Sequence, residues 1–223
     1  MSFWNDSPIA GPFESYEESR RILDERNASY PEAKDMIPMR FHGKTVLDYG
    51  CGPGHDTIMF LENGAEHVYA ADIAPRSLRM VEDRIRMHGL DPSRLTTILV
   101  EETGIPDLPK VDHVHVAGVL HHCEDPLSVL KGLRKSMGTG FAMVYSKHGT
   151  LFLETCKGDM GLFASHCDRR GDGTGAPIVT CWSDMEFRDL CSQAGIRARK
   201  LGHYRAETEG PIGTSACFRL EPK

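Results

Sequence analysis

Three alternate glycines follow a short apolar run in the segment "VLDYGCGPGHD", residues 46–56. We call Gly50 to Gly54 the glycine loop. Glycine has no Cβ, so a ligand can lie directly against the backbone, and it also permits the positive φ that a tight strand-to-helix turn requires. This pattern predicts a ligand-binding loop between a strand and a helix, rather than a turn that is merely tight.

The register of these glycines separates this loop from two common nucleotide-binding loops. The dinucleotide fingerprint is G-x-G-x-x-G/A, whereas this chain has G-x-G-x-G with His55 in the sixth position. A bulky His there would obstruct the close helix–strand contact that a small residue allows. The chain also lacks G-x-x-x-x-G-K-[ST], so neither pyrophosphate nor triphosphate binding is favoured.

Acidic residues end the next two predicted strands. Asp72 follows "HVYAA", and Glu101 follows "RLTTILV". A carboxylate offers two acceptor oxygens, which suits the vicinal hydroxyls of a ribose. Ligands of parallel sheets bind beyond the carboxyl ends of the strands, so Asp72 and the glycine loop are both in positions where a ligand is expected.

The motif Asp48-x-Gly50-x-Gly52-x-Gly54 resembles the first motif, D/E-x-G-x-G-x-G, of the class I S-adenosylmethionine (SAM)-dependent methyltransferases. The resemblance implies that the loop, with Cys51 inside it, holds the methionine and ribose parts of SAM. It also implies that Asp48 lies near the amino group of the cofactor.

The same resemblance extends along the chain. "AGVLHHCEDP", residues 117–126, is similar to the segment after the fourth strand in the ubiquinone and menaquinone methyltransferase-like, small-molecule branch. Glu101 and Pro106 resemble the "D-A-x-x-L-P" segment, with Glu-Glu in place of Asp-Ala. The implied contacts are the ribose for Asp72, the adenine for Ile73, Glu101 and Glu102, and the methionine end for Gly118, Val119 and Leu120.

Methyl transfer from a sulfonium requires alignment of donor and acceptor, and acid–base help only where the nucleophile arrives protonated. His121 and His122 are candidates for that proton transfer because imidazole titrates near neutrality. Tyr16 is a candidate for closing over the substrate, as N-terminal segments do in relatives. Packing and pocket-shaping roles remain open for all three residues.

A metal site is not predicted. His113 and His115 share a strand face, and His166 and Cys167 are further possible ligands, but no compact ligand spacing connects them. On a strand covered on both faces, a His more often satisfies a local hydrogen bond.

Strands alternating with helices of 10 to 15 residues must position these groups, which predicts a Rossmann-like α/β three-layer sandwich. The resemblance implies a seven-stranded, mostly parallel sheet of order 3-2-1-4-5-7-6 with strand 7 antiparallel. The predicted strands are 44–50, 67–73, 94–101, 111–119, 140–146, 197–204 and 214–220, and helices are predicted within 55–65, 74–89, 125–138 and 182–195.

We expect a single methyltransferase domain over residues 1–223. Residues 1–40 read as a helical N-terminal cap, and 41–146 as the SAM-binding core. Residues 147–181 are Gly-rich and polar, which predicts a lid or substrate loop. Residues 182–223 supply the closing helix and strands, with Ser183 and Glu186 in capping-box positions.

Composition narrows the partners and the compartment. The formal net charge is −6, and no long basic run is present, which disfavours duplex nucleic acid and anionic membranes as partners. Seven scattered cysteines suit reduced thiols, and no apolar run reaches the ~20 residues of a membrane helix. A cytoplasmic protein is expected, with an oligomeric state that the sequence does not indicate.

The sequence therefore predicts an enzyme that moves a methyl group from SAM to an oxygen or nitrogen of a small molecule and releases S-adenosylhomocysteine. Two alternatives remain open. One is a methyltransferase acting on a protein or RNA, although the N-P-P-Y motif of amino-directed nucleic-acid enzymes is missing after strand four. The other is an NAD-binding Rossmann protein, which is disfavoured because His55 occupies the position of a small residue in the dinucleotide fingerprint.

Overall fold

The computed structural model describes residues 3–6, 11–28, 41–101, 107–149, 176–204 and 215–223. Several predicted features lie outside these ranges. They are Glu102, Pro106, residues 1–2, 7–10 and 29–40 of the predicted N-terminal cap, and residues 150–175 of the predicted lid, with His166 and Cys167.

Seven strands form one sheet in the order β3-β2-β1-β4-β5-β7-β6. β2 and β4 pair in parallel with β1, and β3 pairs in parallel with β2, whereas β7 runs antiparallel to both β5 and β6. The predicted fold class, strand order and antiparallel seventh strand are confirmed. The strands are β1 Thr45–Tyr49, β2 His67–Asp72, β3 Leu95–Leu99, β4 Val111–Ala117, β5 Met137–Tyr145, β6 Ile196–Tyr204 and β7 Ser215–Pro222.

Helices alternate with the strands, as the sequence predicts. The N-terminal region contributes α1 Phe3–Asp6 and α2 Tyr16–Ala28, and two short 3-10 helices are Pro92–Arg94 and Leu120–His122. The remaining helices are α3 His55–Glu62, α4 Pro75–Met87, α5 Pro126–Ser136 and α6 Asp184–Gln193.

The chain divides into two compact units, residues 1–115 and 116–223. The expectation of a single domain over the whole chain stays a prediction. In the first unit, α2, α3 and α4 pack apolar side chains against β1 and β2. This core includes Leu23, Val46, Ile58, Phe60, Val68, Val81 and Ile85, all at most 1% exposed.

In the second unit, α6 packs on β6 and β7 through Phe187, whose ring centroid lies 4.7 Å from that of Phe218. The predicted capping box starts this helix. The Ser183 side chain accepts a hydrogen bond from the Glu186 backbone N–H, and the Glu186 carboxylate accepts one from Ser183 N–H. Just before the helix, Trp182 N–H donates to the Tyr145 carbonyl at 3.0 Å, which attaches the segment before α6 to the end of β5.

Within the ranges that the structure describes, no helix is both long and apolar enough to cross a membrane.

Candidate active site

The glycine loop joins β1 to α3 and is fastened to the carboxyl end of β2. Gly50, Gly52 and Gly54 all have positive φ, at 74°, 50° and 81°. The amides of Gly50 and Cys51 donate to the Ala71 carbonyl at 2.7 and 3.0 Å. The loop is thereby held at the strand end where parallel sheets of this kind bind ligands.

Two glycines of the loop have different surroundings. A Cβ on Gly52 would have no heavy atom within 4 Å, so this position faces open space that a ligand can fill. A Cβ on Gly54 would lie 2.8 Å from Cγ2 of Val81 on α4. Gly54 therefore permits helix packing, whereas the space beside Gly52 is open, and the approach of a ligand to it stays a prediction.

Asp72 links the loop to the end of β2. Its Oδ2 accepts from Gly52 N–H at 2.8 Å, and its Oδ1 accepts from Ala74 N–H at 2.8 Å. A carboxylate has about four acceptor positions, so capacity remains for a hydroxyl group. Burial raises the pKa of Asp72, and the backbone donors oppose that shift. The structure thus brings Asp72 and the glycine loop together, as the sequence predicts for a ribose site.

Asp48 lies beneath the loop in a buried polar cluster. Its Oδ2 accepts from Thr57 Oγ1 at 2.6 Å. Nearby, Asp56 Oδ2 lies 3.2 Å from His115 Nε2 and 2.6 Å from Arg26 Nη2. Burial, followed by repulsion from Asp56, raises the pKa of Asp48 to about 6. Burial acts in the same direction on Asp56, but Arg26 and His115 outweigh it and lower the pKa of that carboxyl.

The residues predicted to contact adenine are placed after β2 and β3. Ile73 is half-buried directly after Asp72, and Glu101 is exposed two residues beyond the end of β3. Cys51 is buried inside the glycine loop, and burial raises the pKa of its thiol well above the ordinary value. The cofactor contacts of these residues stay predictions.

In the second unit, the segment after β4 turns sharply at Gly118, whose φ is 78°. Gly118 N–H donates to the Met143 carbonyl at 3.1 Å, which fixes the turn against β5. Leu120 is fully buried, and Val119 is half-buried. The assignment of this segment to the methionine end of SAM stays a prediction.

The two histidines after β4 have distinct environments. His121 is 1% exposed, and its ring stacks on Tyr145 with centroids 3.7 Å apart. His122 is half-buried, and its Nδ1 lies 2.9 Å from the Ile178 carbonyl, in the segment before α6. A carbonyl only accepts, so Nδ1 of His122 carries a hydrogen and Nε2 of the neutral ring is an acceptor.

Tyr16 begins α2 in the first unit and is 45% exposed. Its ring lies edge-on to His88, with centroids 5.0 Å apart. The predicted role of Tyr16 over a substrate stays a prediction.

His113 and His115 lie on one face of β4, as the alternation predicts, with ring centroids 6.3 Å apart. Both rings contact Phe60 edge-on, and His115 also contacts Asp56. In the part of the chain that the structure describes, no group of three or more His, Cys, Asp and Glu side chains is arranged to hold a metal ion.

Sequence reasoning missed two arginine contacts beside the glycine loop, one from the buried Arg84 and one from the half-buried Arg26. Arg26 of α2 forms an ion pair with Asp56 in the first turn of α3, and Arg84 of α4 donates to the Pro53 carbonyl at 2.7 Å. An arginine on an amphipathic helix reads as a solvent-facing residue. Only the fold supplies the acceptors that bury it.

Residues 47–140 match the model of a methyltransferase-domain family. The tRNA U34 carboxymethyltransferase of Shewanella loihica is 36% identical over 113 residues, which cover 50% of this chain and 31% of that protein. The corresponding protein of Shewanella piezotolerans is 35% identical with the same coverage. The chain thus spans about a third of the length of the curated relatives that it matches.

Solved methyltransferase structures share the fold. A methyltransferase in complex with the Haloferax volcanii Trm112 activator aligns with a TM-score of 0.67 and 16% identity, over 93% of this chain and 94% of that one. The magnesium protoporphyrin IX methyltransferase from Synechocystis, with bound S-adenosylhomocysteine, aligns with a TM-score of 0.64 and 16% identity, over 96% of this chain and 90% of that one.

Proposed function

We propose that the chain is a SAM-dependent methyltransferase, which transfers the methyl group of SAM to an oxygen or nitrogen of a small molecule and releases S-adenosylhomocysteine. The observation that carries this proposal is the glycine loop joined to Asp72. The Gly52 amide donates to that carboxylate, and the Cβ side of Gly52 is open.

The described residues fit the nucleoside part of SAM. Asp72 offers its remaining acceptor positions to the ribose hydroxyls, and the open face of Gly52 admits the ligand against the backbone. We propose that Ile73 and Glu101 border the adenine, and the resemblance of residues 117–126 leads us to propose Gly118, Val119 and Leu120 for the methionine end. SAM supplies an electrophilic methyl group on a sulfonium.

We assign the proton-accepting role to His122 rather than to His121. The Ile178 carbonyl fixes the tautomer of His122, so a group that approaches Nε2 must donate a hydrogen, as a hydroxyl or ammonium acceptor does. His121 is stacked on Tyr145 and buried, which suits a packing role. In the transfer, the carbon–sulfur bond breaks with its electron pair left on sulfur, the acceptor's lone pair forms the new bond, and the acceptor's proton passes to Nε2.

Titration calorimetry with S-adenosylhomocysteine tests the cofactor assignment. We expect the wild-type protein to bind and Asp72→Ala to lose at least tenfold in affinity, since the ribose loses charged acceptors. Asp83→Asn is a matched control, because Asp83 is 73% exposed and, within the described ranges, its side chain pairs with Arg86 alone. Absence of binding by the wild-type protein would refute the proposal.

His122→Asn tests the catalytic assignment. The Asn amide can keep the donor to Ile178 but has no counterpart of Nε2. We expect kcat to fall by roughly 10²-fold or more with affinity for S-adenosylhomocysteine unchanged. An unchanged kcat would show that His122 does not accept the proton.

An RNA acceptor is the second candidate, and the curated relatives favour it because their names place their activity on tRNA. The small-molecule and RNA candidates can be distinguished in a cell lysate by following the transfer of tritium from the methyl group of SAM. Label in the filterable fraction supports a small molecule, and label in the RNA fraction supports the second candidate.

A further inference from the structure

Arg84 on α4 is a charged side chain placed almost completely inside the first unit. It is 1% exposed, and among the described residues no carboxylate lies within ion-pair distance of it. Burying a guanidinium without a counter-ion is costly unless its N–H groups find acceptors. The acceptors that this arginine has found therefore indicate what it does in the fold.

The guanidinium connects three segments of the chain. Its Nη1 donates to the Pro53 carbonyl at 2.7 Å and lies 3.1 Å from His55 Nδ1, while its Nε donates to Ser19 Oγ at 2.9 Å. Its central carbon lies 4.0 Å from the ring centroid of Phe13, a cation–π contact. One side chain thus joins the glycine loop to α2 and to the segment before α2.

The contact with His55 fixes the state of that ring. Burial, followed by the charges of Arg84 and Arg26, lowers the pKa of His55 to about 3. The ring is therefore neutral at physiological pH. Since a guanidinium only donates, Nδ1 of His55 accepts and Nε2 carries the hydrogen. Arg84 thereby holds one group on each side of Gly54, the carbonyl before it and the ring after it.

The Pro53 carbonyl and the Gly54 N–H belong to one peptide group, and both of its polar atoms are hydrogen-bonded. The Gly54 N–H donates to the Cys51 carbonyl at 2.9 Å within the loop, whereas the Pro53 carbonyl accepts from Arg84 at 2.7 Å. The neighbouring Gly52 N–H donates to Asp72 at 2.8 Å. Loss of the guanidinium leaves this peptide group held on one side only, which loosens the loop next to the open face of Gly52.

A second arginine, on α2 itself, connects that helix to the first turn of α3, directly after the glycine loop. Arg26 of α2 donates to both oxygens of Asp56, at 2.6 and 3.2 Å, in the first turn of α3. By contrast, Arg20 of α2 pairs with Glu62 at the far end of α3, at 2.7 Å. The contacts of α2 with Arg84 and Asp56 therefore lie next to the glycine loop, whereas its Arg20–Glu62 ion pair lies away from the loop and only docks the helix.

From these contacts we infer that Arg84 is a positioning residue for the cofactor, and that docking of α2 and binding at the glycine loop are coupled through it. The inference rests on the proposed function, because it takes SAM as the ligand of the loop. Coupling of this kind is reciprocal, so the ligand must also stabilise the docked helix.

Arg84→Met tests this inference, with Arg20→Met as the matched control. Methionine keeps the length and the burial but removes every donor, and removal of a buried charge need not destabilise the fold. We expect at least a tenfold loss of S-adenosylhomocysteine affinity in Arg84→Met and no change in Arg20→Met. In the wild-type protein, the ligand should slow hydrogen exchange of the α2 amides, and this protection should be lost in Arg84→Met.

Equal affinity of Arg84→Met and wild type would overturn the inference, and so would an equal loss in Arg20→Met, which would mean that helix docking alone matters. If the wild-type protein fails to bind, the proposed function fails instead. The positioning role is then decided by exchange of the Gly52 and Gly54 amides without ligand, which must be faster in Arg84→Met than in wild type.

Discussion

At the scale of single residues, Gly52 and Gly54 show how two positions of one motif serve separate purposes. Both have positive φ, but an added methyl group meets open space at Gly52 and the Val81 side chain at Gly54. Loss of affinity and loss of stability should therefore be separable between them.

Gly54→Ala should cost roughly 3 kcal/mol of unfolding free energy, because left-handed backbone strain adds to the overlap with Val81. Gly52→Ala should cost only about 1 kcal/mol, from strain alone, yet reduce S-adenosylhomocysteine affinity at least tenfold. Urea denaturation and calorimetry measure the two quantities. Normal affinity in a stable Gly52→Ala protein would show that the ligand does not lie against this residue.

Asp48 should make stability depend on pH. Its pKa is raised to about 6, first by burial and then by Asp56, so the folded state holds this proton more tightly than the unfolded state. The contribution of Asp48 is therefore favourable at low pH and is lost as the pH rises from about 4 to about 6.

Asp48→Asn should remove that dependence, because the amide oxygen can still accept from Thr57. Relative to wild type, the variant should gain roughly 1 kcal/mol between pH 5 and pH 7 in urea denaturation. Asp56, whose pKa is lowered, titrates below this window in both proteins. If the difference in unfolding free energy between the variant and wild type stays constant with pH, the pKa of Asp48 is not raised in the folded protein.

At the scale of elements, β6 and β7 place two like charges opposite each other. Arg199 is paired with Arg219 in the antiparallel register, whereas Arg197 two residues earlier is paired with Glu221. Like charges directly opposite across strands are destabilising, and opposite charges are stabilising.

Arg199→Thr should therefore raise the unfolding free energy by a few tenths of a kcal/mol, and Arg197→Thr should lower it by a similar amount. Thr suits a strand in both positions, and each substitution removes one positive charge, so the two variants differ in the charge of the residue opposite. Thermal denaturation at low salt measures the two shifts. Shifts of the same sign would indicate that strand propensity, rather than charge, governs this edge.

The elements themselves were largely readable from the sequence, because apolar runs, glycines and caps are local signals. β5 is an exception, since it begins at Met137, three residues before its predicted start at 140, directly after the last residue of α5. No Gly or Pro separates that helix from the strand. Arg84 and Arg26 could not be predicted, because the acceptors that bury them come from distant parts of the chain.

The candidate site was predictable to a similar degree. The sequence indicated the glycine loop and Asp72 together, and the structure places the Gly52 amide on the Asp72 carboxylate. It did not distinguish His121 from His122. Their difference arises from Tyr145 and Ile178, which are brought beside them by β5 and by the segment before α6.

At the scale of the whole molecule, the net charge of −6 bears on the acceptor. An RNA acceptor bound through phosphates would make the rate fall steeply with salt, because binding releases counterions. For a small acceptor, we expect kcat/KM to change less than about twofold between roughly 50 and 200 mM KCl. A decrease of tenfold or more over that range would favour the RNA candidate.

Cys51 gives the chain an internal reporter of loop opening. The thiol lies in the middle of the glycine loop and is buried, and its raised pKa keeps it in the unreactive protonated form. Alkylation of this sulfur therefore requires the loop to open, and its rate measures how often that happens. A ligand that closes the loop should slow the labelling of Cys51 in proportion to its occupancy, without any engineered probe.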